Sequence, residues 1–289
     1  MLRPIFLFAM FVWLFALEGV GETLVVRLPG RESADDPRLA YFDELLDLAL
    51  GKTEPSDGPY RIEKSTLAML THGRGSEFLK RGGRIDVIYT MTSIEREREF
   101  LPVRIPLLKG LLGHRIFIIR KQDEARFAAI GKLEELRKFK AGQGHRWPDV
   151  EILEANGIAV EVGRSYGGLF EMLERGRFDF FPRGVMEAQG EAALHADQGL
   201  VVEQTLMLVY PTAMYFFVNR ENTSLAGRIE RGLRQALADG SFDRVFDKYN
   251  ASLLERARMH TRRVFHLQNP ILPAETPLGE ANLWYHVPD

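Results

Sequence analysis

The 289-residue chain is 45% hydrophobic and 27% charged, with 38 basic residues against 40 acidic ones and a formal net charge of −2. That is apolar material enough for two folded cores, and the close mixture of charges leaves no broad cationic field for a phosphate backbone, which argues against nucleic acid as a partner. The absence of cysteine excludes a structural disulfide, a cysteine nucleophile, thiolate metal ligands and an acylated cysteine anchor.

At the N-terminus Arg3 precedes an apolar run over residues 5–17, and Gly19 and Gly21 follow it in the order of a secretory signal. The run is shorter than the roughly twenty residues that span a bilayer. Residues 1–21 are therefore expected to be a signal peptide cleaved near Gly21, with the remainder exported to the periplasm.

Residues 24–28 form a first strand, closed by Pro29-Gly30. The spacing of Leu39, Phe42, Leu45, Leu46, Leu48 and Ala49 predicts a helix that Gly51 should stop, followed by a turn-rich loop over 52–59. A strand at 60–64, a helix over 66–81 and a strand at 85–89 come next. Residues 105–113, rich in glycine and proline, lead into a strand at 115–119 and mark a passage between lobes. Beyond it the pattern gives a helix at 132–139, a glycine-rich turn at Gly142-Gln143-Gly144, a helix at 149–156 and a strand at 159–162. Apolar runs at 206–210 and 213–218, broken by Pro211, suit a return crossing. Ser224 should cap a helix to Ala238 that Gly240 stops, and a last helix covers 242–258; both should pack on the first lobe.

Two stretches echo each other. Glu77-Phe78-Leu79-Lys80-Arg81-Gly82-Gly83-Arg84-Ile85-Asp86-Val87-Ile88 reads as helix end, glycine stop and buried strand, and Glu171-Met172-Leu173-Glu174-Arg175-Gly176-Arg177-Phe178-Asp179-Phe180-Phe181 repeats that order. A unit used once in each half predicts an α/β protein of two similar lobes. The boundaries place 22–110 and 212–289 in lobe 1, with a C-terminal tail from 262 wrapped on it, and 111–211 in lobe 2. Open α/β sheets bind ligands beyond the carboxyl ends of their strands, and there both copies run into an arginine, Arg96 and Arg183.

The strand–helix order, the turn Met91-Thr92-Ser93-Ile94-Glu95-Arg96-Glu97, the paired crossings and the segment Leu233-Arg234-Gln235-Ala236-Leu237-Ala238-Asp239-Gly240-Ser241-Phe242-Asp243 resemble the family 3 extracellular solute-binding proteins, the polar-amino-acid receptors of ABC importers. The likeness covers about residues 22–250. It implies a two-lobed type II periplasmic-binding-protein fold, each lobe a mixed sheet flanked by helices, joined by two crossover segments and closing over a small ligand. The expected protein is a monomer with no cofactor, whose partner is a membrane permease or a sensor.

By that resemblance Arg96 stands where relatives pair with a ligand carboxylate, for which a guanidinium offers a planar fork that lysine lacks. The alternative is a solvated residue in the mixed run Glu95-Arg96-Glu97-Arg98-Glu99. Thr92 and Ser93 could add donors or cap the following helix. In the second half Gly144, His145 and Arg146 stand where relatives present a glycine and hydroxyl turn to the carboxylate; the hydroxyl is missing here. His145 is as readily a surface residue, and Trp147 as readily core. Arg183 stands where relatives commonly carry an aspartate for the ligand's amino group. A cation there, together with Arg96, favours a ligand with more than one negative group, unless Glu187 neutralises it internally. Tyr89, Tyr166 and Glu32 lie near strand ends or in following loops and are further candidates.

The seven histidines show no metal-binding spacing, and no nucleophile elbow or phosphate loop is present. The expectation is a binding protein for a small polar, anionic solute. A dehydratase or lyase on the same scaffold, and an interaction module without a ligand, are the alternatives.

Overall fold

The computed structural model describes residues 22–29, 37–65, 72–145 and 147–286, so the expected signal segment at 1–21 lies outside the described residues. In chain order the elements are β1 (Leu24–Leu28), α1 (Pro37–Asp57), β2 (Tyr60–Lys64), α2 (His72–Arg81), β3 (Val87–Met91), α3 (Ile94–Glu99), β4 (Phe100–Val103), β5 (His114–Arg120), α4 (Glu124–Ala128), α5 (Leu133–Leu136) and β6 (Ala141–Gly144). They continue as α6 (Asp149–Ala155), β7 (Val160–Gly163), α7 (Tyr166–Glu174), β8 (Phe180–Gly184), α8 (Ala188–Leu194), β9 (Leu200–Val202), β10 (Leu206–Val209), β11 (Met214–Asn219), α9 (Thr223–Ala238), α10 (Ser241–Ala257) and β12 (Arg263–His266).

The strands divide into two groups. In the first, β1 and β2 pair in parallel and β11 lies antiparallel between β3 and β4. The Asp86 backbone N–H donates to the Arg27 carbonyl at 2.8 Å, which ties β1 to the start of β3. Pro102, which cannot donate to a ladder, is tolerated because β4 is an edge strand. In the second group the order is β12-β10-β5-β8-β6-β7, with β9 also on β5. Ile116, Phe117, Ile118 and Ile119 of β5 are fully buried at its centre, as a continuous apolar run in a covered strand should be. Residues 104–113 carry the chain from the first group to the second, and residues 210–213, with Pro211, carry it back.

Several local expectations change under tertiary contacts. Helix α1 continues through Gly51 and Pro55 to Asp57, so neither the stop at Gly51 nor the loop over 52–59 forms. Its end is held from α9: Arg228 Nε donates to the buried Thr53 hydroxyl at 3.1 Å, and its Nη atoms donate to the carbonyls of Asp57 (3.3 Å) and Gly58 (2.6 Å). One guanidinium thus satisfies carbonyls that a helix end leaves open. The predicted helix at 132–139 is confined to α5, and α9 is capped by Asn222, whose side chain accepts from Leu225 N at 3.2 Å, in place of Ser224. Of the predicted helix at 66–81, α2 begins at His72, and residues 66–71 lie outside the described residues.

The echoed units hold. Helices α2 and α7 are followed by Gly82 (φ 69°) and Gly176 (φ 67°), the left-handed residues that end a helix without a Cβ clash. Gly142-Gln143-Gly144 is strand, not turn: it forms β6, parallel to β7 and β8. The glycines serve close approach, since a Cβ at Gly142 would lie 2.1 Å from the Phe178 ring and one at Gly144 2.4 Å from Trp147. The tail also departs from expectation. Before it reaches the first lobe, its residues 263–266 join the second sheet as β12, parallel to β10. Among the described residues no helix is long and apolar enough to cross a membrane.

Candidate functional site

The first lobe contributes the end of β3 and the short α3. Ser93 is extended and caps α3, its hydroxyl accepting from Arg96 N at 3.1 Å. Thr92 is fully buried; its hydroxyl donates to Glu97 Oε1 at 2.6 Å, and Glu97 also accepts from Arg104 Nε at 3.1 Å. Capping, the alternative open for these hydroxyls, is what Ser93 does, while Thr92 orients Glu97. Arg96 folds back over the turn and one Nη donates to the Met91 carbonyl. It is half-buried, and no carboxylate among the described residues lies within ion-pair distance of it. Burial pulls its pKa below the ordinary arginine value, partly opposed by the more distant Glu95 and Glu99. Such a cation, drawn partly out of water with most of its donors uncommitted, has the chemistry to receive an anion. Ile94 N, at the first turn of α3, donates to the Ile271 carbonyl at 3.0 Å.

The second lobe contributes the carboxyl end of β8 and a buried ion cluster. Arg183 is 6% exposed and clamps Glu191 through two parallel bonds of 2.6 and 2.7 Å, with Glu187 Oε2 at 3.2 Å. Its guanidinium lies 5.0 Å from the ring centres of Trp147 and Phe181 and 5.7 Å from that of Tyr166, within cation–π range. Arg115, at the start of β5, pairs with Asp149 at 2.7 Å and with Glu187 at 3.7 Å, and donates to the Tyr210 hydroxyl at 2.8 Å. The Tyr210 hydroxyl donates in turn to Asp149. Burial opposes the charge of both arginines, but Glu187 and Glu191 around Arg183, and Asp149, Tyr210 and Glu187 around Arg115, raise their pKa values above the ordinary one. Three carboxylates therefore surround two guanidiniums. Arg183 is not the uncompensated cation that the charge argument needed: the internal neutralisation considered with Glu187 is present, and Glu191 is its principal partner.

Of the other sequence candidates, Gly144 ends β6 beneath Trp147, whose N–H donates to the Gly144 carbonyl at 3.0 Å. Trp147 is partly buried and stacked on Phe181, in line with the core alternative. His145 is exposed, and its N–H bonds to the Gly163 carbonyl at 2.9 Å. Tyr166 is 44% exposed at the start of α7, packed edge-on against Phe170. Tyr89 stacks on Phe42 at 4.2 Å and belongs to the packing of the first lobe. Glu32 and Arg146 lie outside the described residues. The structure thus gathers Thr92, Ser93 and Arg96 around α3, and Gly144, Tyr166 and Arg183 around the end of β8. Arg115, Asp149, Glu191 and Tyr210 went unrecognised in the sequence. The one signal was the acidic residue opening the helix after Trp147, because the others meet through strand pairing across distant segments. Among the described residues no group of three or more histidine and carboxylate side chains is placed to hold a metal ion.

No protein-family model matches the chain, and no curated protein matches it. Solved structures do. The periplasmic VFT2 domain of Bordetella pertussis BvgS, as a double mutant, aligns with TM-score 0.59 at 15% identity, over 78% of this chain and 93% of that one. An ancestral arginine-binding protein bound to glutamine aligns with TM-score 0.55 at 18% identity, over 78% of this chain and 97% of its own. A histidine kinase sensor domain with similarity to periplasmic binding proteins aligns with TM-score 0.55 at 16% identity, over 79% and 96%. With its helix-flanked mixed sheets and passages in both directions between them, the chain has the two-lobed α/β fold of the periplasmic binding proteins.

Proposed function

We propose that this is an exported receptor that holds a small carboxylate-bearing solute of the amino-acid type between its lobes, with Arg96 as the anchor. The observation that carries the reading is the state of Arg96: partly desolvated, tied to one backbone carbonyl, and without a contacting carboxylate among the described residues. A carboxylate taking its remaining donors would form charge-assisted bonds in a site already partly shielded from water. The second lobe offers a different surface, in which Arg183 is spent on Glu191 and the groups reaching solvent include the Tyr166 ring and the partly exposed Glu187. A single carboxylate on the ligand fits this better than two. The same fold in an arginine-binding protein and in a kinase sensor domain supports a binding role served by a permease or a sensor.

The test is a thermal-shift screen of amino acids, dicarboxylates and other small anions against the parent protein, Arg96→Ala and Arg96→Lys. A ligand at a hundredfold excess over its Kd should stabilise the parent by about 2.7 kcal/mol. That shift should vanish in Arg96→Ala and stay absent in Arg96→Lys, which has the charge without the fork. A screen with no hit would favour the interaction-module alternative, a hit indifferent to Arg96 would move the site elsewhere, and consumption of the ligand would identify an enzyme.

A further inference from the structure

The tail after β12 makes a connection between the lobes that neither crossover provides. Leu267 N donates to the Val209 carbonyl at 2.8 Å, keeping the tail beside the end of β10. Gln268 then exchanges two bonds with Asn156, the residue closing α6 in the second lobe: its N–H donates to Oδ1 at 3.0 Å and its carbonyl accepts from Nδ2 at 2.8 Å. Asn269 Nδ2 donates to the carbonyl of Pro211 on the return crossing at 2.9 Å, while its Oδ1 accepts from Ile271 N at 3.1 Å. Ile271 finally accepts from Ile94 N in the first lobe at 3.0 Å. Farther on, Tyr285 N donates to the Lys109 carbonyl on the outward crossing at 2.8 Å, and the Trp284 ring lies where a Cβ on Gly110 would be.

From Gln268 to Ile271 the chain has three peptide steps, a reach of about 10 Å even when fully extended. Pro270 fixes one φ in that span and Asn269 pins its middle. A two-segment hinge opens when a few residues absorb a change in φ and ψ. Here a further short segment is bonded to α6 on one side and to α3 on the other, and its three peptide steps must absorb any such change. We infer that residues 267–271 are an interlobe latch: they hold the lobes at one angle, and swinging requires breaking the Asn156–Gln268 or the Ile94–Ile271 attachment. Ile94, the latch's attachment in the first lobe, stands two residues before Arg96. The latch itself does not depend on the ligand reading, and its test uses no ligand.

The absence of cysteine makes the test direct. Spin labels on Arg61→Cys and Glu171→Cys, both exposed, one on β2 and the other on α7, report the interlobe distance by pulsed electron resonance. The latched protein should give one narrow distribution. Asn156→Ala, which removes both Gln268 bonds, should broaden it and add a second population, and Asn269→Ala, which unpins the middle of the latch from Pro211 and Ile271 N but leaves both attachments, should broaden it to a lesser extent. A broad or two-peaked distribution with the latch intact would overturn the inference, as would unchanged distributions in both variants when circular dichroism shows native folding. Should the variants fold poorly, the parent distribution decides by itself.

Discussion

Arg96 and Arg183 follow the same local plan, a helix stopped by a left-handed glycine, a buried strand, and then a guanidinium beyond or at its end. Their surroundings are opposite. Arg96 keeps to its own turn, bonded to the Met91 carbonyl five residues back, with its nearest acids on α3 itself. Arg183 is met by Glu191 and Glu187 and by the rings of Trp147, Tyr166 and Phe181, within a cluster that also holds Arg115 of β5, Asp149 of α6 and Tyr210 of the return crossing. A local repeat fixes where an arginine stands along the chain. The topology fixes whether its charge is spent inside the lobe or left for something else.

The largest effect should come from leaving Arg183 without its main partner. Glu191→Ala strands a buried guanidinium and should cost about 3–5 kcal/mol in urea unfolding. Replacing both side chains, Arg183→Met with Glu191→Leu, should restore much of that loss, because the desolvation cost of the pair disappears with it. A loss below about 1 kcal/mol for Glu191→Ala would erase the contrast between the two arginines. Next in size is Gly142→Ala, whose methyl would lie 2.1 Å from the Phe178 ring. Overpacking there should cost about 1–3 kcal/mol, read as a lower urea midpoint. A neutral result would mean that Phe178 can yield and that the strand under the second lobe's ion cluster is loosely built.

On the other side of the comparison the stability effects should be small. Thr92→Val removes a buried hydroxyl from Glu97, which keeps Arg104, and should cost about 1–2 kcal/mol in unfolding. Arg96→Ala leaves no buried charge behind and should change stability by less than about 1 kcal/mol. A loss as large as that of Glu191→Ala would give Arg96 a structural role in place of the anchoring one.

The alternation of helix, glycine stop and strand was readable because each link is local: apolar spacing sets a helix or strand, and a glycine with positive φ ends the helix. Both crossings were readable for the same reason, through Pro106, Gly110 and Pro211. What escaped depends on residues far apart in the chain. Gly51 looks like a stop, but Arg228 of α9 supports the following turns. The glycines of Gly142-Gln143-Gly144 look like a turn, but they make room for Phe178 and Trp147. Thr92, Ser93 and Arg96 were identifiable from their own turn, whereas the neutralisation of Arg183 by Glu191 rests on how α8 packs over β5 and β8. Glu187 alone, four residues on, suggested it.

The smallest effect concerns the passage that joins the two regions, and it is a matter of pH. His114 opens β5 beside Arg115, and its Nδ1 is buried without a hydrogen-bond partner among the described residues. Burial pushes its pKa below the ordinary value of 6.5; the Gly110 backbone partly opposes this, while His266 and the Arg115 charge add to it. As pH falls through 6.5 the unfolded chain takes up a proton at this position before the folded one does. Stability should therefore be full above that pH, decline below it, and level off once the folded protein is protonated too. His114→Gln removes the titration, so the loss of unfolding free energy between neutral and mildly acidic buffer should be smaller in the variant than in the parent. Because Arg115 is held in place by Asp149 and Glu187, loosening that cluster with Asp149→Asn should alter the same pH dependence, whereas Arg96→Ala, at a distance in the first lobe, should leave it unchanged. Equal slopes in the parent and in His114→Gln would show that the burial of His114 does not set the pH dependence of the passage between the lobes.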